Sequence, residues 1–541
     1  MSGTHASLSR RRTLQWLTAA GGAALTGVGM PGYVFAQERK GALVIGLDFS
    51  DNQTFDPARF ATNSAPMVLR GAYDGLLTMA PGKYVDLIPV LATRWARTPD
   101  GKGWRFTLRQ GVTFASGATM TADDVKWSFD RVINLKDQPS QYLQAVERVE
   151  IVDPATIDFI LTKPNEPFLP ILAAPEFVIL ERKLVEQNGG VAGANAKEAD
   201  RATVWLNNNS AGTGPYRLTQ WERDTSIQMV ANANSWRGPP PFQRVVIRHI
   251  SDGAAQLLAV RRGNADAAFN LIPEQIAAIK GSPDVRVESA PSLDFVYLGI
   301  SENPEMNKAL AVKDVRRAIG HAIDFDGIKN GLLGGAAMRA AHFLPIGVQG
   351  STEAIASEIG FHEDLPLARQ LLAKAGYPNG FEFQLAYGNT AFAGLPYQAL
   401  AQKVQSDLAR VGIKAVLRPM DPVNFRTMFT GGKAEGAVLG PWIPPAVENS
   451  LWASATVERV AKRLHWTPPD DLVKLVREAA TRTDPKQQTQ LWIEYQKRMV
   501  DQAHMIVLFQ PIYRVGVYKS IASFPLTGAG WILDLPAVKP A

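Results

Sequence analysis

The sequence predicts an α/β fold, and three observations carry the prediction. Nearly continuous apolar runs of strand length, at 42–49 and 245–250, have the composition of strands buried on both faces of a sheet. Longer segments space their apolar residues three and four apart, as in 312–323 with Val315, Ile319 and Ala322, which is the pattern of an amphipathic helix. The two kinds of segment interleave along the chain, as they do when helices cover a sheet. With 541 residues, 46% of them hydrophobic, the chain can fill more than one core, and its length predicts two to four domains.

Taken in order, the elements begin after an export leader. Ser9-Arg10-Arg11-Arg12-Thr13-Leu14 puts a twin arginine before an apolar run at 17–30, and Val34-Phe35-Ala36 supplies small residues for cleavage near Ala36. This has the form of a Tat signal peptide over 1–36, and the apolar run is too short and too rich in Gly and Ala to span a membrane. A periplasmic protein is therefore expected. After the strand at 42–49, Asp56-Pro57 ends the element. Pro99-Asp100-Gly101 is a turn, and Trp104, Phe106 and Leu108 alternate with Arg105, Thr107 and Arg109, so a hairpin is expected there. Thr121 with Asp124 three residues on forms a capping pair for a helix that turns Val125, Ser128, Phe129 and Val132 to one face. A second hairpin is expected over 148–161 around Asp153-Pro154, and a helix over 254–262 that closes at Gly263. Residues 294–299 read as a strand. Helical spacing recurs at 365–375, 397–411, 468–481 and 486–503, a late apolar strand occupies 505–510, and the Pro-rich tail reads as irregular.

Composition excludes more than it selects. The chain has no cysteine, which removes disulfides, thiolate metal sites, thiol nucleophiles and a lipid-modified anchor. The formal charge is +6, but Arg10, Arg11 and Arg12 lie in the leader, which has no acidic residue, so the mature part carries +3. No basic block with interleaved aromatics marks a nucleic-acid surface. Catalytic patterns are absent too: there is no Gly-x-Ser-x-Gly, and His362-Glu363-Asp364-Leu365-Pro366 lacks the second histidine of a zinc helix. Gly212-x-Gly214 is followed by Pro215, which removes a backbone N–H that a phosphate loop would use, so a structural turn is the better reading. His5, His249, His321, His342, His362, His465 and His504 are scattered with no pair at ligand spacing, so neither a metal nor a cofactor is expected, and His321 reads as a packed helix residue.

Several further strings follow one another along the chain: Tyr73-Asp74-Gly75-Leu76-Leu77, Pro89-Val90-Leu91-Ala92-Thr93-Arg94-Trp95, the hairpin and capping pair above, Gly212-Thr213-Gly214-Pro215-Tyr216-Arg217-Leu218 with Trp221, Val312-Lys313-Asp314-Val315-Arg316-Arg317-Ala318-Ile319, Ala375-Gly376-Tyr377-Pro378-Asn379-Gly380-Phe381 and Val411-Gly412-Ile413. In this order they resemble the family 5 extracellular solute-binding proteins, the peptide and nickel receptors of ABC importers. The resemblance covers the mature chain. It implies a two-lobed periplasmic binding protein fold of the cluster C type, with a hinge and an extra inserted domain. Lobe I would comprise 37–75, 201–295 and 505–541, the inserted domain II 76–200, and lobe III 296–504. Segments 294–299 and 505–510 would form the hinge. The protein would act as a monomer, close on a small-molecule ligand and pass it to the subunits of an ABC permease, with no catalysis.

The resemblance also nominates a site. Residues after the Asp-Pro pair line the family's cleft, which points to Thr62 and Asn63, though a surface loop would hold the same residues. Tyr297 on the hinge strand offers a ring and a hydroxyl, with core packing as its alternative. Peptide receptors carry a Trp followed three residues later by an aspartate that pairs with the peptide amine. Here the string is Trp442-Ile443-Pro444-Pro445, so the amine anchor is missing, and a buried ammonium without a carboxylate costs several kcal/mol. Glu448 could substitute, which keeps open a di- or oligopeptide receptor, or it could be a solvated loop charge. Trp452 and Phe425, with Tyr387 and Asn389 on a loop after a strand expected at 381–386, complete the set; its aromatics suit a flat, aromatic, sugar-like or amphipathic ligand, with core packing as the alternative for each ring. A secreted hydrolase on this fold would need a nucleophile or paired acids, and a nickel or haem receptor would need histidines converging on the cleft.

Overall fold

The computed structural model describes residues 41–541 except 61, 63, 81–82, 163–167, 444–446, 483 and 529–532. The leader at 1–36, Asn63 and Pro445 lie outside the described residues. Two sheets share one long strand, Met505–Tyr518. On one side the order runs from it through Ala267–Ala268, Ala42–Leu47, Arg244–His249 and Ser226–Ala231 to Tyr216–Glu222. On the other side it runs through Phe295–Ile300, Ala437–Trp442 and Glu382–Gly388 to Lys414–Met420. Ala42–Leu47 is buried along its whole length and pairs in parallel with Arg244–His249, as its unbroken apolar run predicts.

The shared strand runs well past 510, where the sequence suggested an end. Pro511 donates no hydrogen bond, and at that point the strand changes partner, from Phe295–Ile300 to Val285–Pro291. Buried polar groups fasten this crossing. Gln510 Nε2 donates to the carbonyls of Ser292 (2.6 Å) and Ile346 (3.0 Å), its Oε1 accepts from the Ile346 N–H (2.8 Å), and Ser292 N–H donates to the Pro511 carbonyl (3.0 Å). A side chain thus replaces the ladder bonds the proline cannot make.

Both expected hairpins form within a separate four-stranded antiparallel sheet, ordered Ala92–Arg97, Gly103–Leu108, Thr156–Leu161, Val146–Asp153. The helix Ala122–Leu135 packs on it through Val125, Phe129 and Val132 and starts with the predicted capping box, Thr121 N–H donating to Asp124 Oδ2 (2.8 Å). The same helix delivers Arg131 into a fully buried network. Its guanidinium donates to both Asp56 oxygens (2.8 and 2.6 Å) and to both Asp200 oxygens (2.9 Å each). Burial alone would raise the Asp56 carboxyl, but the Arg131 charge, with hydrogen bonds from Arg131, Thr203 and the Ala58 N–H, holds it below the ordinary carboxylate range. Gly212 and Gly214 lie so close to the Ala72 backbone that a Cβ at either would come within 2.2 and 2.4 Å of its atoms, the structural role the following proline implied.

His342 lies under the second sheet, fully buried, with neither ring nitrogen hydrogen-bonded to a described residue. Burial pushes its pKa down to about 3, so the folded state binds fewer protons than the unfolded chain below the ordinary histidine value. The stability it contributes is complete above about pH 6.5 and is lost as pH falls toward 3, by up to about 1.4 kcal/mol per pH unit. His342→Leu should flatten this part of the stability–pH curve measured by urea unfolding, and a limb as steep as in the parent protein would show that His342 is already accommodated as a cation.

Candidate functional site

Between the two sheets and the inserted segment lies a cavity of about 780 Å³, within the range of small-molecule sites. One wall is aromatic. Tyr297 and Trp442 come from adjacent antiparallel strands, Phe295–Ile300 and Ala437–Trp442, and Gly440 stands opposite Tyr297. Phe343 supports both rings from behind, 4.8 Å from Tyr297 and 5.1 Å from Trp442 between centres. Trp442 is 8% exposed and its indole N–H has no partner among the described residues, so one ring serves both core and cavity.

The helix Pro422–Thr430 adds a second aromatic surface. Asp421 caps it by accepting from the N–H groups of Val423 and Asn424 (3.1 Å each), and Pro422 fits the first turn. Phe425 and Phe429, four apart, stack at 6.3 Å with planes 13° apart and face the cavity. Arg426 follows Phe425, lines the cavity and donates through Nη2 to Gln138 Oε1 (2.8 Å).

Two more arginines come from the helical stretch that includes Asn449–Ala455, the wider π turn Thr456–Val460 and Ala461–Arg463. Arg459 and Arg463 are four apart and point into the cavity, while Val457, Val460, Ala461 and Leu464 bury the other face. Arg459 Nη1 donates to Gln141 Oε1 (2.9 Å), and its guanidinium sits 5.7 Å from the Tyr142 ring centre and 5.8 Å from that of Trp442. Arg463 lies 5.5 Å from the Phe429 ring centre. Among the described residues neither Arg459 nor Arg463 has a carboxylate partner. Burial, followed by the charge of Arg459, makes Arg463 less basic than usual, and Arg426 opposes its charge as well. Three guanidinium groups therefore share one partly desolvated space, an arrangement suited to an anion.

Of the nominated residues, Thr62, Tyr297, Asn389, Phe425 and Trp442 border this cavity. Thr62 Oγ1 also donates to Asn52 Oδ1 (3.2 Å). Tyr387 does not border it. The strand Glu382–Gly388 runs further than expected, and the alternation of its side chains turns Tyr387 into the core beneath the second sheet. Trp452 is fully buried in the helical core, and Glu448 caps the helix Asn449–Ala455, accepting from the Ser450 N–H and hydroxyl (3.1 Å each). Neither borders the cavity. Sequence reasoning missed Arg426, Arg459, Arg463, Tyr142 and Glu176. For two of them the sequence held only an ambiguous signal: Arg459 and Arg463 stand four apart on one helical face, but Glu458 and Lys462 beside them read equally as an exposed charged face. Among the described residues no three His, Asp or Glu side chains converge as a metal site, and no helix is long and apolar enough to cross a membrane.

Two sheets joined by crossing strands, with a ligand-sized cavity between them, define a two-lobed solute-binding protein. The chain belongs to the bacterial extracellular solute-binding proteins, family 5, whose model matches residues 86–456. A probable D,D-dipeptide-binding periplasmic protein, DdpA of Escherichia coli (strain K12), is 28% identical over 494 residues, 90% of this chain and 91% of the relative. The glutathione-binding protein GsiB of Salmonella typhi is 26% identical over 468 residues, 81% and 85% of the two chains. The dipeptide binding protein from Pseudoalteromonas sp. SM9913, in complex with Met-Leu, superposes with a TM-score of 0.79 at 21% identity, covering 92% of this chain and all of that one.

Proposed function

We propose that this protein is a periplasmic receptor for a small organic anion bearing more than one carboxylate or similar group, which it delivers to an ABC permease. The observation that carries this reading is the cluster of Arg426, Arg459 and Arg463 on the cavity, with no carboxylate partner for the latter two among the described residues. Two guanidiniums left without a counter-charge repel each other, and a bound dianion relieves that cost while accepting several charge-assisted hydrogen bonds. The aromatic surfaces of Trp442, Tyr297, Phe425 and Phe429 would hold the rest of the ligand. Relatives named for dipeptides and glutathione support carboxylate-bearing ligands as the class. A peptide receptor anchored on Glu448 is less favoured, because that carboxylate caps a helix away from the cavity.

The direct test is calorimetric titration with dicarboxylates, the corresponding diamides and neutral dipeptides. Saturable binding is expected for dicarboxylates only. Diamides binding as tightly as the acids would remove the arginine cluster from recognition.

The domain boundaries set out above remain part of this proposal, supported by the self-contained sheet that falls within 76–200 and by the strand crossing at 292–294 and 510–511. Monomeric action and Tat export belong to it too. Replacing Arg10 and Arg11 by Lys should leave the precursor in the cytoplasm, as read by fractionation and immunoblotting. Normal periplasmic accumulation of that double variant would rule out the Tat route.

A further inference from the structure

Opposite the arginines in character is one acidic group the anion reading leaves unused. Glu176 borders the cavity between the helix Phe168–Leu172 and the bridge that joins Val178 to Gly75. Its Oε2 is buried and has no hydrogen-bond partner among the described residues. Arg70, on the helix Ala65–Ala72, acts on Glu176 through its charge and donates to Thr78 Oγ1 and to the Ala173 carbonyl (2.9 Å each). Tyr142, on the turn Gln138–Leu143, lines the same cavity and feels the Glu176 charge, and Arg70 feels the charges of Asp534 and of Arg237, the latter paired with Asp74.

We infer that Glu176 receives an ammonium group of the ligand, so that the cleft selects an amino-bearing polycarboxylate, its cationic end on Glu176 and its anionic groups on the arginines. This rests on the anion reading of the same cavity. A buried carboxyl with an unfilled acceptor is costly to keep, and a ligand N–H⁺ supplies both the missing donor and the missing charge. An anion alone fills the arginine side and gains nothing from Glu176. Burial pushes the Glu176 pKa up to about 7, and its own backbone N–H and Arg70 offset that only in part. Pairing needs the ionised form, so affinity for an amine should rise with pH up to about 7 and level off above it, and binding below that point should release a proton.

The test uses matched probes, γ-glutamylalanine and glutarylalanine, which share a skeleton and differ by the amine. Calorimetry near pH 8 should show the amino compound binding about tenfold or more tightly, an advantage that shrinks near pH 6. In E176Q, checked for an unchanged urea midpoint, the two probes should converge and the pH dependence should disappear. Equal affinities in the parent protein, an amine advantage that survives in E176Q, or no binding of either probe up to about 10 mM would each overturn the inference. Its failure differs from failure of the anion reading. If glutarylalanine binds and weakens in Arg463→Ala while the amine adds nothing, only the Glu176 assignment falls. If the diamides bind as well as the acids, the arginine reading falls and takes this one with it.

Discussion

Arg131→Met should cost about 3–5 kcal/mol of stability, the largest loss expected from any single substitution considered for this protein. The side chain is 1% exposed and holds Asp56 and Asp200, both fully buried, in bidentate pairs. Methionine of similar length fills the space but leaves the two carboxylates only Arg59, which lies 3.7 Å from Asp56 and 3.5 Å from Asp200 and is itself paired with Asp137 at 2.5 Å. The pH dependence identifies the cause. In the parent protein Asp56 is held below its ordinary value, so its contribution is complete above the unfolded carboxylate range and is lost as pH falls through the lower folded value. Without Arg131 burial dominates, the carboxyls shift upward, and the deficit should shrink as the pH falls and they protonate. Adding Asp56→Asn should recover part of the loss. Urea midpoints within about 1 kcal/mol of the parent would show that the network contributes no more than a surface pair. The functional consequence is indirect, since Asp56 fixes the turn that leads into Thr62 and the cavity wall.

The double variant Arg459→Ala, Arg463→Ala should lose about 3–5 kcal/mol of affinity for a dicarboxylate, roughly two to four orders of magnitude in Kd. Each guanidinium contributes charge-assisted hydrogen bonds from a site with restricted access to water, and no neighbouring cation reproduces both. Stability should move the other way or stay level. Burial and the neighbouring arginines already make the Arg463 charge unfavourable in the empty cleft, so removing it relieves repulsion. Arg459→Ala alone should cost less affinity but some packing, because its guanidinium lies against Trp442 and Tyr142. Measuring affinity and urea midpoint on the same variants separates recognition from folding. Unchanged dicarboxylate affinity in the double variant would end the assignment.

Much of the architecture was legible because local chemistry dictated it. The unbroken apolar run of Ala42–Leu47, the Asp100-Gly101 turn and the Thr121–Asp124 box are short-range patterns, and each forms as written. The order of the motifs along the chain was enough to expect a family 5 solute-binding protein. The full reach of Met505–Tyr518 was not legible, since Pro511 reads locally as a terminator and only a change of partner strand lets the strand pass through it.

The sequence by itself determined the α/β character, the solute-binding family and an aromatic share of the cavity in Tyr297, Phe425 and Trp442. What decides which aromatic meets ligand is the direction of a side chain, and one strand residue more or less reverses it. Tyr387 and Trp452 are as aromatic as Trp442 and yet lie in the core, while Glu448, an acid in the right stretch of chain, closes a helix end. The charge of the site was decided by tertiary structure alone. Arg426, Arg459 and Arg463 share one cavity with Tyr142 and Glu176, at least 250 residues earlier in the sequence, and no local pattern announces a juxtaposition made only when two lobes and an inserted segment enclose the same space.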